Sequence, residues 1–404
     1  MSQQKMRIVL KDDVFPEIAA WADELAGIRR EIHQHPELGM ETGQTAARIA
    51  GLLRGWGLVD VNTEVIPNGV VCAVNGDDPG ATIGIRADID ALAMNDESGA
   101  EWRSLVPGRS HACGHDGHLT WLLGTLRYLA NHRDFPGKVV GIFQPAEETG
   151  TGAKAVVDTG VLQKFGIEEI VAAHDEPKLD KGLFGFRSGA FQAASDTFVV
   201  KIIGKGSHGG RPHQGVDPIP VACQIVEALQ TIVSRKVNPI DAALVSVCSF
   251  NAGKTETLNV IPGFVTMSGI VRTFNPAVRQ LVAEKFGKIV SGIALANDCT
   301  AEINYKRLIP AVINDRALTA SCVATATRLF GEDHVKTDLE PLMGAEDFSV
   351  YQERIPGCIL RIGIRDRNHQ ATLHNPAFDF NDEVLPAACT LLASIATDRL
   401  KQKA

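Results

Sequence analysis

Four short runs of apolar and β-branched residues set the architecture: GVVCAV at 69–74, ATIGIRAD at 81–88, KVVGIFQP at 138–145 and EIVAAHD at 169–175. None alternates apolar with polar residues along its length, so none reads as a strand with one wet face; such strands are covered on both sides. The stretches between them supply the cover. Residues 117–131 and 152–162 read as helices, and Phe15, Ile18, Trp21, Leu25, Ile28 and Ile32 fall at spacings of three and four, an amphipathic helix over 14–32. The pattern predicts an α/β fold, a central mixed β-sheet flanked by helices.

The pattern changes after residue 190. TFVVKIIG, a helix over 216–236, ALVSVCSF, FVTMSGIVRTF, a helix over 276–297 and TAEINYKRLIP follow in the order β-α-β-β-α-β, that of a ferredoxin-like α+β unit. A self-contained unit in mid-chain fits an insertion, because its two ends can lie close together on a host surface. The expected organisation is a host domain over 1–191, an inserted domain over 192–309, and a second host segment over 310–404 that completes the first sheet.

Charge and cysteine usage narrow the function classes. A net charge of -8 disfavours a nucleic acid or an anionic membrane as partner, since both would be repelled at long range. The opening MSQQKMRIVLKDD holds only a four-residue apolar run between charges, and no later stretch reaches membrane-spanning length. Eight cysteines are scattered without a C-x-x-C pair, the pattern of reduced thiols, so the expected location is the cytoplasm and the expected partner a small molecule.

Among those cysteines, only Cys113 sits with polar, ligand-type neighbours, in HACGHDGH at 111–118. Gly114 and Gly117 favour a turn there, feeding a helix that Asp116 could cap. Cys113 and His115 then lie at a strand-to-helix loop, where α/β sheets bind ligands. A thiolate and an imidazole are good ligands for first-row metals, although a buried thiol beside a hydrogen-bonded histidine gives the same pattern. Glu147 and Glu148 follow the strand ended by Pro145. Adjacent acids are ordinarily a solvated face, but at a strand terminus one can bind metal while the other moves a proton. His174 closes another strand, where a hydrogen-bonded core histidine is the commoner reading, and His374 stands in the loop TLHNPAFDF before the last helix. Cys113, His115, Glu148, His174 and His374 together exceed a tetrahedral site with an open position, and two metals sharing a bridging ligand use them all, with the Cys113 thiolate as candidate bridge. Asp88, at the end of another strand, could orient a metal-bound histidine through its outer nitrogen, or simply cap a helix. The ligand set admits Mn²⁺ or Zn²⁺ first, then Co²⁺ or Ni²⁺.

The chain resembles the hippurate hydrolase and indole-3-acetyl-amino acid (auxin-conjugate) hydrolase group of aminoacylase-like di-metal peptidases. The resemblance is carried in order by RREIHQHPELGMET, GIRADIDALAM, HACGHDGH, FQPAEETGTGA, GKGSHGGRPHQGVDPI, LNVIPG, MGAEDF and LHNPAFDFND. It implies a catalytic domain interrupted by a lid domain that dimerises, two divalent metals on the ligands above, and Glu147 as the catalytic general base. It also implies that His208 holds the scissile carbonyl oxygen across a dimer, and that Asn259 and Arg272 bind the substrate α-carboxylate. His33, His35 and Glu346 are expected in structural hydrogen bonds. The implied reaction is hydrolysis of the amide of a small N-acyl or N-aroyl amino acid. The alternatives are another C–N hydrolysis, such as deamination of an amino-aromatic acid, and a non-catalytic metal-binding protein.

Two departures from the family pattern bear on the substrate. Asp175 and Glu176 follow His174 where an apolar or aromatic pair is expected, and Arg211 stands in SHGGRPH where a small or apolar residue is commoner. The two acids could repel an anionic substrate group, attract a cationic one, or point to solvent.

Overall fold

The computed structural model describes residues 14–404, so the N-terminal stretch 1–13 read above lies outside the described residues. The described chain forms two compact units. The first holds the residues up to Gly189, Ile313–Glu340 and Asp347–Ala404; the second holds Ala190–Val312 and Pro341–Glu346. The short segment Pro341–Glu346 lies outside the insertion bounds expected from sequence.

In chain order the first unit supplies α1 (Ala22–Gln34), α2 (Gly43–Gly55), β1 (Val70–Asn75), β2 (Asp78–Asp88), α3 (His115–Asn131), β3 (Pro136–Gln144), α4 (Gly152–Asp158) and β4 (Glu169–Asp180). The second unit supplies β5 (Ala194–Ile203), α5 (Pro218–Lys236), β6 (Ala243–Ala252), β7 (Phe264–Thr273), α6 (Pro276–Ala296) and β8 (Thr300–Ile309). The chain then returns to the first unit with α7 (Arg316–Phe330), β9 (Gly357–Arg365) and α8 (Leu385–Lys403). The single helix expected over 14–32 is two, Pro16–Ala20 and α1, separated at Trp21, which caps both.

The sheet of the first unit runs Val61–Asn62, β1, β3, β2, β4, β9, Phe184–Gly185, Val335–Lys336. β3, β2, β4 and β9 are parallel, and β1 is antiparallel to β3, so the sheet is mixed. The apolar runs are buried along nearly their whole length, as their lack of alternation requires. One core gathers Ile85, Trp121, Leu122, Phe143, Val171, Leu360 and Leu392 from the sheet and the helices over it. Gly124 lets α3 and α8 approach closely, since a Cβ there would fall 2.6 Å from the Cys389 sulfur.

The second unit is a four-stranded antiparallel sheet in the order β6-β7-β5-β8. β7 alternates buried and half-exposed positions, and the buried set packs in one cluster with Val221, Ile225 and Leu229 of α5 and Val282, Phe286 and Val290 of α6. Asp217 and Asn275 cap α5 and α6 by accepting the backbone N–H groups of Ile219 and Ala277. The opposite sheet face carries half-buried positions such as Thr266, Ser268 and Arg272.

Candidate metal centre

Cys113 and His115, Glu147 and Glu148, and His374 follow the C-terminal ends of parallel strands, whereas His174 does not close its strand as expected but lies within β4, which continues to Asp180. Gly114 adopts φ +77° and α3 begins at His115, two residues earlier than the glycines suggested. Asp116 does not cap this helix. It is fully buried and binds His33 Nδ1 at 2.7 Å and the Arg29 guanidinium at 3.3 Å. The N-terminal motif RREIHQHPEL thus braces the turn that carries Cys113 and His115. His35 bonds the Glu31 carbonyl at 2.8 Å.

Donor atoms of the five candidate ligands converge. Cys113 Sγ lies 3.7 Å from His174 Nε2, His115 Nε2 lies 3.8 Å from Glu148 Oε1, and His374 Nε2 lies 3.5 Å from Glu148 Oε2. Three overlapping groups each hold their ligand atoms within 4.8 Å: Cys113, His115 and His174; Cys113, Glu148 and His374; and His115, Glu147 and Glu148. Cys113, His115 and His174 are buried, Glu147 and Glu148 half-buried, and His374 exposed. Ala146 and His374 hold φ of +60° and +59° without being glycine, strain of the kind that gathers at functional sites.

Two observations test whether divalent cations suit these residues. His115 Nε2 and Glu148 Oε1 are buried and have no hydrogen-bond partner among the described residues, so two electron-pair donors face each other with nothing between them to accept. The outer nitrogens are fixed: His115 Nδ1 donates to the Asp90 carbonyl at 2.9 Å and His174 Nδ1 to the Asp175 carbonyl at 2.7 Å, leaving each Nε2 lone pair directed at the cluster. Burial and the neighbouring Glu148 push the Cys113 thiol up, and burial raises the Glu148 carboxyl against the pull of His115 and His374. Burial opposes charge on His115, but Asp88 and Cys113 outweigh it and raise that imidazole. A cation would replace the protons these shifts retain, so the donor set fits metal.

Asp90 organises the centre, and the sequence reading missed it. Its carboxylate accepts the backbone N–H groups of Glu147 and Glu148 at 2.9 and 3.2 Å, while its carbonyl orients His115. The signal was present, since Asp90 is the second acid of RADID, two residues after the one chosen. Asp88 differs from its expected role. Its Oδ1 accepts from His118 Nδ1 at 2.6 Å and its Oδ2 from Arg86 at 2.7 Å, so it binds a histidine outside the expected ligand set. Asp175 corrects the reading of the two added acids. Its side chain is buried and bonded to His118 Nε2 at 2.9 Å, whereas the half-buried Glu176 accepts the Lys178 backbone N–H. No periodicity marked His118 or Asp175 as partners, because their meeting depends on α3 lying over β4.

His208, Asn259 and Arg272 all belong to the second unit. His208 is exposed on a short strand paired with Val260–Ile261, and its Nδ1 accepts the Gly210 N–H at 3.0 Å. Asn259 is exposed beside it, with its carbonyl accepting the Gly209 N–H at 2.6 Å. Arg272 is half-buried on the sheet face opposite the two helices and donates to Ser195 Oγ at 2.6 Å. Arg211 is exposed.

The profile of peptidase family M20/M25/M40 matches residues 84–398, which span the metal-centre loops and the second unit. The chain belongs to this family. An IAA-amino acid hydrolase from Arabidopsis thaliana is 38% identical over 93% of the chain and 85% of its own length. A hippurate hydrolase from Campylobacter jejuni is 36% identical over 96% of the chain and 100% of its own length. Among solved structures, a dinuclear metal binding peptidase of family M20 from Bacillus subtilis superposes with a TM-score of 0.83 at 33% identity, covering 95% of the chain and 99% of the other. This family member is therefore a metal-binding hydrolase, with a catalytic domain and an inserted lid domain as its fold. Among the described residues no helix is long and apolar enough to cross a membrane.

Proposed function

We propose that the chain hydrolyses the amide bond of small N-acyl or N-aroyl amino acids at a two-metal centre held by Cys113, His115, Glu148, His174 and His374. One observation carries the reading: the donor atoms of these residues meet beside Glu147, with His115 Nε2 and Glu148 Oε1 directed at one another and hydrogen-bonded to nothing described. The names of the relatives, an IAA-amino acid hydrolase and a hippurate hydrolase, support an amide joining an aryl or arylacetyl group to an amino acid. Thiolate and imidazole favour Zn²⁺ and the carboxylate admits Mn²⁺, which are the proposed metals.

When bound, the divalent pair supplies Lewis acidity to the amide carbonyl and makes water acidic enough to attack near neutral pH. Glu147 accepts the proton of the attacking water on its carboxylate and returns it to the departing amine nitrogen, acting as base and then acid. Asp90 holds that carboxylate in place through the Glu147 N–H, and the same residue fixes the His115 tautomer. From the second unit, His208 is the proposed partner of the carbonyl oxygen, and Asn259 and Arg272 of the substrate carboxylate, for which a guanidinium fork is well shaped. The second unit is also the proposed dimerisation element, with β6 and β8 as its unpaired sheet edges. A reducing, cytoplasmic location suits eight cysteines that form no disulfide.

The test is metal analysis of the purified protein followed by assays on hippurate, indole-3-acetyl amino acids and N-acetyl amino acids. Amide cleavage that disappears on chelation and returns with Mn²⁺ or Zn²⁺ supports the reading. A protein loaded with two metals that cleaves no member of the panel ends it. Light scattering reads the oligomeric state.

A further inference from the structure

The residue after His174 is an acid, and the fold builds that acid into the centre. Consecutive side chains of a regular strand point to opposite faces. Asp175 nevertheless reaches the imidazole cluster that His174 joins. Its Oδ1 lies 2.9 Å from His118 Nε2 and 3.2 Å from His174 Nδ1, and its carbonyl accepts the His174 Nδ1–H. The His118 and His174 rings meet edge to face with centroids 4.5 Å apart, so the carboxylate fixes His118, on which the His174 ring packs, while the carbonyl of the same residue fixes the His174 tautomer. The same carboxylate lies against the turn between Cys113 and His115: a Cβ on Gly114 would fall 2.6 Å from Asp175 Oδ1. Its second oxygen, Oδ2, is buried with no hydrogen-bond partner among the described residues. Space-filling alone would be met more cheaply by an apolar residue, since an unpaired buried carboxylate oxygen is costly.

We propose that Asp175 is a positioning residue of the metal centre, holding His174, His118 and the Gly114 turn so that the donor atoms of Cys113, His115 and His174 are set before a cation arrives. The inference rests on the two-metal reading above. A hydrogen-bond acceptor behind a ligand imidazole fixes its tautomer, here the Asp175 carbonyl, and a carboxylate close to the same ring strengthens the free nitrogen as a donor while it holds His118 in place. In this chain that carboxylate comes from the residue next to the ligand, so the strand that delivers His174 also delivers its brace.

Metal-free full-length protein, Asp175→Asn and Asp175→Leu are titrated with Zn²⁺ and Mn²⁺ against a chelator of known affinity, and the Co²⁺ absorption spectrum of each is recorded. Circular dichroism and melting curves establish which variants fold. Asn keeps the shape and one acceptor oxygen but loses the charge; Leu loses both. The expected result is a graded loss of metal affinity within about 10- to 100-fold, smaller for Asn, with a shifted Co²⁺ spectrum. Turnover per loaded enzyme recovers as metal is raised to saturation. Folded variants that take up two equivalents with wild-type dissociation constants and an unchanged Co²⁺ spectrum overturn the inference and leave the two-metal reading standing. If Leu does not fold, Asn alone decides. Wild-type protein that takes up fewer than two equivalents overturns the two-metal reading and this inference with it.

Discussion

The interiors of the two units differ in how much charge they enclose: the second buries Asp196, paired with Arg279 and Tyr305, whereas the first buries whole chains of paired groups. In the second, Phe198, Val200, Ile202, Leu229, Met267 and Phe286 form an apolar core between one sheet face and two capped helices. In the first, a larger apolar core encloses Arg29, His33, Arg86, Asp88, Asp116, His118, Asp175 and Asp347, each almost wholly buried. Buried charges are unfavourable unless paired, and here they are paired in chains: Asp382 with Arg29, Asp116 and His33; Asp347 with Arg86, Asp88 and His118. Both chains end beside the ligand loops. The first unit carries fixed charge where the candidate metal chemistry is, and the second, whose proposed substrate groups lie outside its core, keeps the simpler interior.

Four experiments would break or sharpen that contrast. The largest expected effect is chelation, which should abolish turnover while leaving the melting of the second unit unchanged; an activity assay and calorimetry on the same sample read both. Next, Glu147→Gln should lower kcat by about 10²- to 10⁴-fold with metal content unchanged by elemental analysis. Substantial turnover in that metal-replete variant would remove Glu147 from its proposed role.

In the apolar unit, Phe286→Ala should cost about 3–5 kcal/mol of unfolding free energy. Denaturant melts read that loss, and the metal content of the first unit should not move. The smallest effect is a pH dependence. His33 is buried against Asp116 and Asp96, whose charges outweigh burial and raise its pKa to about 9. A folded-state pKa above the ordinary histidine value contributes stability that is complete below that ordinary value and is lost as pH rises through about 9. Melting temperature should therefore fall across that window in the wild type, and His33→Gln should flatten the fall.

How far the site could be read in advance varied by residue. Cys113, His115, Glu147, Glu148, His174 and His374 stood out because ligand-type side chains followed apolar strands or sat in glycine-rich turns, and the structure brings all of them within one cluster. Asp90 and His118 did not, and Asp175 stood out only as an unexpected charge, not as a partner of the histidines. Each acts on a residue remote in sequence, and an aspartate at a turn or a histidine inside a helix has commoner local explanations. Asp116 shows the same limit from the other side: its position favoured a helix cap, but the arrival of α1 offered Arg29 and His33 as stronger partners. Asp175, whose charge could have faced substrate or solvent, is instead committed to the histidines.

Local chemistry in the chain determined the elements and their class. Unbroken apolar runs require a sheet covered on both faces, the β-α-β-β-α-β order requires a second sheet with both helices on one face, and the grouping of thiol, imidazole and carboxylate at strand ends requires somewhere for their lone pairs to go. Tertiary structure alone decided which polar groups stand behind those ligands. Tautomer, ring orientation and buried charge depend on atoms brought within about 3 Å of one another, and that proximity is set by how α1, α3 and β4 pack, which no spacing along the chain encodes.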